Sequence, residues 1–150
     1  QAQVDAFAVA TLDEAVTLRA QCPDIPITML SGLYAPAQLD ELIGHAIRPV
    51  IFNRQQVDWI AERGGYDAPV WLKIDTGMGR LGLNPDELDE AVSVLSSRVS
   101  EIGLMSHFAS ADTPDAQQNE QQHQCFEALG RGYSLSRSFA NSAAILSRPQ

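Results

Sequence analysis

The sequence predicts an α/β fold built on a parallel sheet, and three observations carry that reading. Short apolar runs alternate with amphipathic stretches along the whole chain. One run and one stretch together recur every roughly 20 to 30 residues, the length of a strand with its helical crossover. No tight glycine or asparagine turn joins neighbouring runs in the manner of a hairpin. Parallel neighbours must be joined by crossovers, so the helices pack outside the sheet. Two architectures satisfy this pattern, a doubly wound open sheet and a (β/α)8 barrel.

Each element has its own signal. Ala6-Phe7-Ala8-Val9-Ala10 is a small apolar run suited to a buried strand. Thr11-Leu12-Asp13-Glu14 fits a capping box, in which Thr11 and Glu14 satisfy each other's exposed amides. The helix it opens runs to about Ala20, where Cys22-Pro23-Asp24 interrupts it. Pro26-Ile27-Thr28-Met29-Leu30 is the second strand. Leu39, Leu42, Ile43 and Ala46 fall at i, i+3, i+4 and i+7, predicting a helix with one apolar stripe. Arg48 to Phe52 is the third strand, and a helix from Arg54 to Glu62 follows, closed by Gly64-Gly65-Tyr66-Asp67.

The fourth strand spans Pro69 to Asp75. Asn84 suits a cap and Pro85 a first helical position, and Asp86 and Glu87 place negative charge at the positive end of the helix dipole. Leu88, Ala91, Val92 and Leu95 make that helix's buried stripe. Ile102 to Met105 is the fifth strand, Pro114 to Leu129 a polar helix, and Leu135 to Ala140 the sixth strand. Asn141 to Leu146 begins a sixth helix. Nothing marks a domain boundary. Ala10-Thr11-Leu12 lacks the glycines of the dinucleotide fingerprint, which disfavours a dinucleotide-binding sheet. A complete barrel takes about 250 residues and eight units, so these units in 150 residues would make an incomplete one.

Composition narrows the function classes. A hydrophobic fraction of 45% suits a globular domain with a sizeable core. No apolar run approaches the roughly 20 residues of a membrane-spanning helix. Gln1-Ala2-Gln3-Val4-Asp5 lacks the basic and apolar regions of a signal peptide, so a cytoplasmic protein is expected. The net charge of -9 opposes non-specific nucleic-acid binding. Neither a membrane nor a nucleic acid is expected as a partner. Cys22 and Cys125 are too few for a disulfide scaffold and are expected to be free thiols. His123 and Cys125 lie in a glutamine-rich stretch without companion ligands at zinc-site spacing, so no metal site is expected. The chain opens without methionine and within an element, which reads as a fragment.

The chemistry gathers where strands end. In either parallel architecture function sits at the carboxyl ends of the strands. Lys73 and Arg80 flank the end of the fourth strand, His107 ends the fifth, and Asn141 with Ser142 ends the sixth. The stretch Trp71 to Gly82 delivers charged groups to a loop whose Gly77, Gly79 and Gly82 allow a tight turn close to a ligand. Read alone, it is a solvated turn; His107 alone is a core histidine and Asn141 an N-cap. Lys73 is harder to explain so plainly. Alternation from Leu72 and Ile74 turns it inward, where an unpaired ammonium is costly, so it must be paired, neutral or modified. Arg80 presents a planar fork suited to a carboxylate or phenolate oxygen. Asn141 and Ser142 sit at a helix start, where free amides favour an anion.

Three motifs in order carry a resemblance. Lys73-Ile74-Asp75-Thr76-Gly77-Met78-Gly79-Arg80-Leu81-Gly82, Ser106-His107-Phe108-Ala109-Ser110-Ala111-Asp112 and Ala140-Asn141-Ser142-Ala143-Ala144 closely resemble successive motifs of the bacterial alanine racemases. The flanking units, Phe7 to Ala10 and Pro26 to Leu30 among them, are similar to that family too. These are fold-type III enzymes that use pyridoxal 5'-phosphate (PLP). The resemblance implies a partial (β/α)8 TIM barrel, approximately strands 2 to 7, with residues 1–150 an incomplete N-terminal PLP-binding barrel domain. By the same resemblance, Arg80 contacts the PLP phenolic oxygen and the substrate carboxylate. Lys73 is the lysine often found carbamylated, an anion able to hold Arg80. His107 lines the cofactor pocket, Ser142 binds the PLP phosphate with Asn141 beside it, and Leu30 lines the pocket wall.

The resemblance also implies what lies elsewhere. The lysine that carries PLP belongs to the first barrel strand, and the arginine facing the pyridine nitrogen comes later in the family's sequence. A β-rich C-terminal domain supplies the tyrosine base across a homodimer interface. No catalytic base is therefore expected within this chain, and the isolated segment is expected to be inactive. The complete enzyme is expected to interconvert L- and D-alanine for peptidoglycan precursors. A racemase of another amino acid such as serine, or a non-catalytic PLP-binding module, is the alternative.

Overall fold

A computed structural model, describing residues 4–113 and 115–147, arranges six strands in one sheet. They are β1 (Phe7–Val9), β2 (Ile27–Met29), β3 (Ile47–Ile51), β4 (Val70–Lys73), β5 (Ile102–Met105) and β6 (Ser136–Ser138). Their spatial order is β1-β2-β3-β4-β5-β6, and every neighbouring pair is parallel. That order decides between the two architectures. A doubly wound sheet reverses its strand order at a switch point. Here each strand adds on the same side as the last, and the sheet curls into part of a barrel with the helices outside.

Those helices are α1 (Leu12–Gln21), α2 (Gln38–Gly44), α3 (Arg54–Arg63), α4 (Leu88–Leu95), α5 (Gln117–Gly130) and α6 (Ser142–Ser147). Among the described residues, no helix is long and apolar enough to cross a membrane. Strand alternation divides the sheet into two environments. Ile27, Met29, Ile47, Ile51, Leu72, Ile74 and Leu104 point outward into the main core under the helices and are almost completely buried. The intervening residues face the barrel interior, where Lys73, Met105 and Ser138 stand in one row of the register. One row below, Trp71 is paired with Gly103, and its ring covers the space where a Cβ would stand.

The predicted capping box is present at α1. Thr11 Oγ1 accepts from Glu14 N at 3.3 Å, and Glu14 Oε2 accepts from Thr11 N at 3.0 Å and from Ala10 N at 2.9 Å. Asn53 caps α3 by accepting from Gln56 N. Asn84-Pro85 opens with a single 3-10 turn, Pro85–Glu87, which leads into α4. Both cysteines are free.

The second helix departs from expectation. It ends at Gly44, so only Leu39 and Leu42 of the predicted stripe are buried, and Ile43 is 37% exposed. Ala46 lies outside the helix with φ of 50°, a conformation unusual for a residue with a Cβ. Its cause lies in α1. Arg19 donates from Nε to His45 O and from Nη2 to Ala46 O at 2.9 Å each, and its Nη1 donates to the carbonyls of Cys22, Pro23 and Ile25. One guanidinium thus gathers the carbonyls of two helix ends and holds the turn that starts β3. Helix α5 begins at Gln117; its predicted start, Pro114, lies outside the described residues. Strand β6 is shorter than predicted, Ser136–Ser138.

Candidate active site

The loop after β4 is shaped by a carboxylate turned on its own backbone. Asp75 Oδ1 accepts from Gly77 N at 2.9 Å, Met78 N at 2.8 Å and Gly79 N at 3.1 Å, and Oδ2 accepts from Gly79 N at 2.8 Å. Burial works against ionisation of Asp75, but the amides of Gly77, Gly79 and Met78 and the charge of Lys73 outweigh it and hold the carboxyl below its ordinary value. Gly82 closes the loop at φ 149°. A Cβ there would stand 2.7 Å from Ile74 C and 2.9 Å from Asp75 Cα. Arg80 is therefore presented by a loop that has one backbone path.

Three basic side chains meet inside the barrel mouth. Lys73, 8% exposed, places Nζ 2.7 Å from His107 Nδ1. Arg80 Nη2 lies 3.3 Å from His107 Nε2. His107 thus stands between the lysine and the arginine, and it is Lys73's hydrogen-bonding partner. The buried lysine has a hydrogen-bonding partner, one of the three outcomes that its inward direction allows.

The pairing has a protonation consequence. A guanidinium only donates, so Nε2 must accept from Arg80 and the ring proton must sit on Nδ1. Nδ1–H then donates to Lys73, which requires a free lone pair on Nζ. Both contacts are hydrogen bonds together only when Lys73 is the neutral amine. The electrostatics run the same way. Burial, and then the charge of Arg80, push Lys73 down to about 8 against the weaker pull of Asp75. Burial, Lys73 and Arg80 likewise hold His107 below its ordinary value. Because Asp75 spends its oxygens on loop amides, the cluster faces the cleft with positive charge, in a chain whose net charge is -9.

The cleft measures about 370 Å³, and Leu30, Lys73, Arg80 and His107 all line it. Leu30 is 42% exposed there. Asn141 and Ser142 lie just outside that lining, while their neighbour Ala140 is part of it. Asn141 Oδ1 accepts from Ala144 N at 3.0 Å, the N-cap bond expected of it, and its Nδ2 donates to Phe108 O at 3.0 Å. The second bond ties the end of β6 to the His107 loop. Ser142 is exposed as the first residue of α6. His123 and Cys125 take no part in the cleft; the His123 ring lies 5.9 Å from that of Phe139.

Sequence reasoning missed Met105, Ser106 and Ser138, which also line the cleft. Met105 and Ser138 share the register row of Lys73, so counting residues back from each strand end would have found them. It also missed Gln122, which is 1% exposed on α5 behind the two site loops. Gln122 has no comparable signal, because it sits within a run of polar residues.

Comparison with known proteins fits this geometry. The family model described as alanine racemase, N-terminal domain, matches residues 1–150. An alanine racemase of Azoarcus sp. (strain BH72) is 40% identical over 152 residues, covering 99% of this chain and 43% of that protein. One from Pseudomonas taetrolens is 40% identical over 154 residues, covering 100% of this chain and 43% of that protein. The crystal structure of the biosynthetic alanine racemase from Pseudomonas aeruginosa superposes with a TM-score of 0.92 at 36% identity, covering 97% of this chain and 42% of that one. That of alanine racemase from E. faecalis gives 0.87 at 30% identity, covering 98% and 42%. The chain spans about 43% of the length of the curated relatives it matches. With the matching family model over its full length, the chain belongs to the alanine racemase N-terminal domain family.

Proposed function

We propose that this chain is the cofactor- and carboxylate-binding part of a cytoplasmic, homodimeric, PLP-dependent alanine racemase. In this reading residues 1–150 are a segment of its barrel domain, and the activity belongs to the longer protein that contains it. The observation that carries the reading is the Lys73–His107–Arg80 cluster, a cationic group lining a cleft at the strand ends, with no ion pair to a carboxylate among the described residues. Such a cluster asks for an anionic ligand of small size.

The donor set fits PLP. Arg80 offers a planar fork to a phenolic oxygen or to an amino-acid carboxylate. His107 fills the space between Arg80 and Lys73 and keeps the fork from rotating away. Leu30 supplies an apolar wall to the same cleft. Ser142, with a hydroxyl at a helix start, is read as the phosphate ligand of this chain, beside Asn141, whose bond to Phe108 O ties it to the His107 loop. PLP, when bound, withdraws electrons from the amino-acid Cα and so lowers the cost of removing its proton. The residues of this chain bind, orient and balance charge in that reaction; they do not carry the proton.

Lys73 has a chemical role consistent with its environment. The neutral amine, whose share grows as pH approaches about 8 rather than the ordinary 10.5, can attack carbon dioxide: a bond forms from Nζ to the carbon as a carbon–oxygen π bond gives its electrons to oxygen, one N–H proton leaves to water, and a carbamate anion results. That anion would compensate Arg80 and His107 where the free amine does not.

The test uses the full-length protein. Incubated with L-alanine and PLP it should form D-alanine, and Arg80→Ala should lower kcat about 10²- to 10³-fold, the cost of losing one donor to a developing charge. A panel including serine separates an alanine racemase from one of other specificity. The 150-residue chain alone should give no D-alanine. Absence of racemisation by the full-length protein with any amino acid of the panel would sink the reading, and a module that binds PLP without turnover would replace it.

A further inference from the structure

The glutamine-rich face of α5 is not explained by binding a ligand, because none of its residues lines the cleft. Two of its side chains, Gln118 and Gln122, are turned instead toward the two site loops. Gln122 accepts through Oε1 from Ala109 N at 2.9 Å, and its Nε2 donates to His107 O at 3.3 Å and to Thr76 Oγ1 at 3.4 Å. One turn earlier, Gln118 Nε2 donates to Gly77 O at 2.9 Å while its Oε1 accepts from Ser110 Oγ at 3.1 Å. Each glutamine therefore bridges the loop that carries Arg80 and the loop that carries His107.

The bridge through Gln122 is specific to an amide. The backbone N–H of Ala109 can only donate, which places Oε1 against it and leaves both N–H bonds for His107 O and Thr76 Oγ1. Thr76 Oγ1, accepting from Gln122, is free to donate to Ser106 Oγ 2.9 Å away. Thr76, Ser106 and Gln122 are all buried. A carboxylate in place of the amide would donate to neither partner and would face a carbonyl oxygen. An apolar side chain of the same length would take the partner from the part-buried Ala109 N and His107 O and leave Thr76 only its bond to Ser106.

We propose that Gln122, supported by Gln118, is a positioning residue that sets the spacing of His107 and Arg80 by clamping their loops to one helix face. Its significance for catalysis rests on the racemase reading; the clamp itself does not. Gln122 does not line the cleft and acts through the backbone of His107 and Ala109 and the hydroxyl of Thr76. The 3.3 Å contact between Arg80 and His107 joins two loops that have separate strands beneath them. Loosening the clamp lets that contact open without removing either partner.

The test reads the imidazole ring. In the longer protein that contains this chain, labelled with 15N-histidine, long-range 15N–1H spectra report which ring nitrogen of His107 holds the proton, with His107→Gln assigning the signal. The parent should keep the proton on Nδ1 above about pH 8, where Lys73 is neutral. Gln122→Met and Thr76→Val should move the ring toward the tautomer mixture of free imidazole and raise its midpoint toward about 6.5. Leu95→Ala, which removes core volume from α4 away from both loops, should lower stability without moving the ring signals. If Gln122→Met does not fold, Thr76→Val decides. Unchanged ring signals in the folded loop variants would overturn the proposal, as would equal shifts in Leu95→Ala. Loss of folding in both loop variants would overturn it too, making these residues structural. Failure of the racemase reading would appear separately, as absent D-alanine formation in the longer protein, and leaves the ring result intact.

Discussion

Replacing Arg80 by methionine removes a positive charge from beside Lys73 while keeping an unbranched side chain in the loop. The two contacts, 2.7 Å from Lys73 to His107 and 3.3 Å from His107 to Arg80, bracket one imidazole ring. The charges therefore stand about 8 Å apart, where repulsion is about 0.5 kcal/mol at the dielectric of water and about 2 kcal/mol at an effective dielectric of 20. That corresponds to a rise of roughly 0.4 to 1.5 units in the Lys73 midpoint. Burial is the larger cause of the depression to about 8, so the variant should stop short of the ordinary 10.5.

The measurement is clean because Lys73 is the only lysine in the sequence. Incorporated [6-13C]lysine gives one resonance, titrated under exclusion of carbon dioxide. A parent midpoint near 10.5, or no rise on Arg80→Met, would refute the account of the cluster. The sign of the stability effect follows. Below about 8 the folded and unfolded chains both carry the proton; between 8 and 10.5 only the unfolded chain binds it. Stability therefore rises with pH across that window, by on the order of 3 kcal/mol from this group. Lys73→Met should abolish the rise, read as the difference between the urea midpoints of parent and variant.

Gly103→Ala should place a Cβ 2.6 Å from Trp71 Cζ3 and 2.8 Å from Cδ2, an overpacking that costs about 1–3 kcal/mol. That lowers the melting temperature by roughly 2–10 °C; in a Trp59→Phe background the remaining tryptophan emission should shift as well, and an unchanged melt contradicts the ring's placement. Arg19→Met strips the carbonyls of His45 and Ala46 of their shared donor and should cost about 1–3 kcal/mol in chemical denaturation, with the loss concentrated in amide-exchange protection at the start of β3. Asp75 has its carboxyl held below the ordinary 3.8, so it contributes stability above that value and loses it as pH falls through the folded value. The parent should then lose more stability than Asp75→Asn on acidification below about pH 4; parallel acid curves would contradict the loop geometry.

What could be read from the sequence is what local chemistry determines. The capping box at Thr11, the alternation that turns Lys73 inward and the arrival of Arg80, His107 and Asn141 at strand ends all depend on neighbours within a few residues. The partial barrel followed from repetition of one unit, once the resemblance had closed the choice that periodicity left open. The misread end of α2 has a different origin. Ile43 and Ala46 kept a helical spacing, yet the chain leaves the helix because Arg19, more than twenty residues earlier, binds the carbonyls of His45 and Ala46.

Gln122 was illegible for a related reason. Two of its three partners, His107 O and Ala109 N, are main-chain atoms that every non-proline residue possesses and that leave no mark on composition, and the third, Thr76 Oγ1, lies 46 residues away in the sequence. A glutamine between Gln121 and His123 reads as a solvated helix face, but its burial behind two loops converts the same amide into a fixed donor and acceptor pair. Side chains that meet a ligand must be chemically distinctive and so stand out in a sequence. Those that hold them in place need only the right polarity at the right depth, which the fold alone supplies.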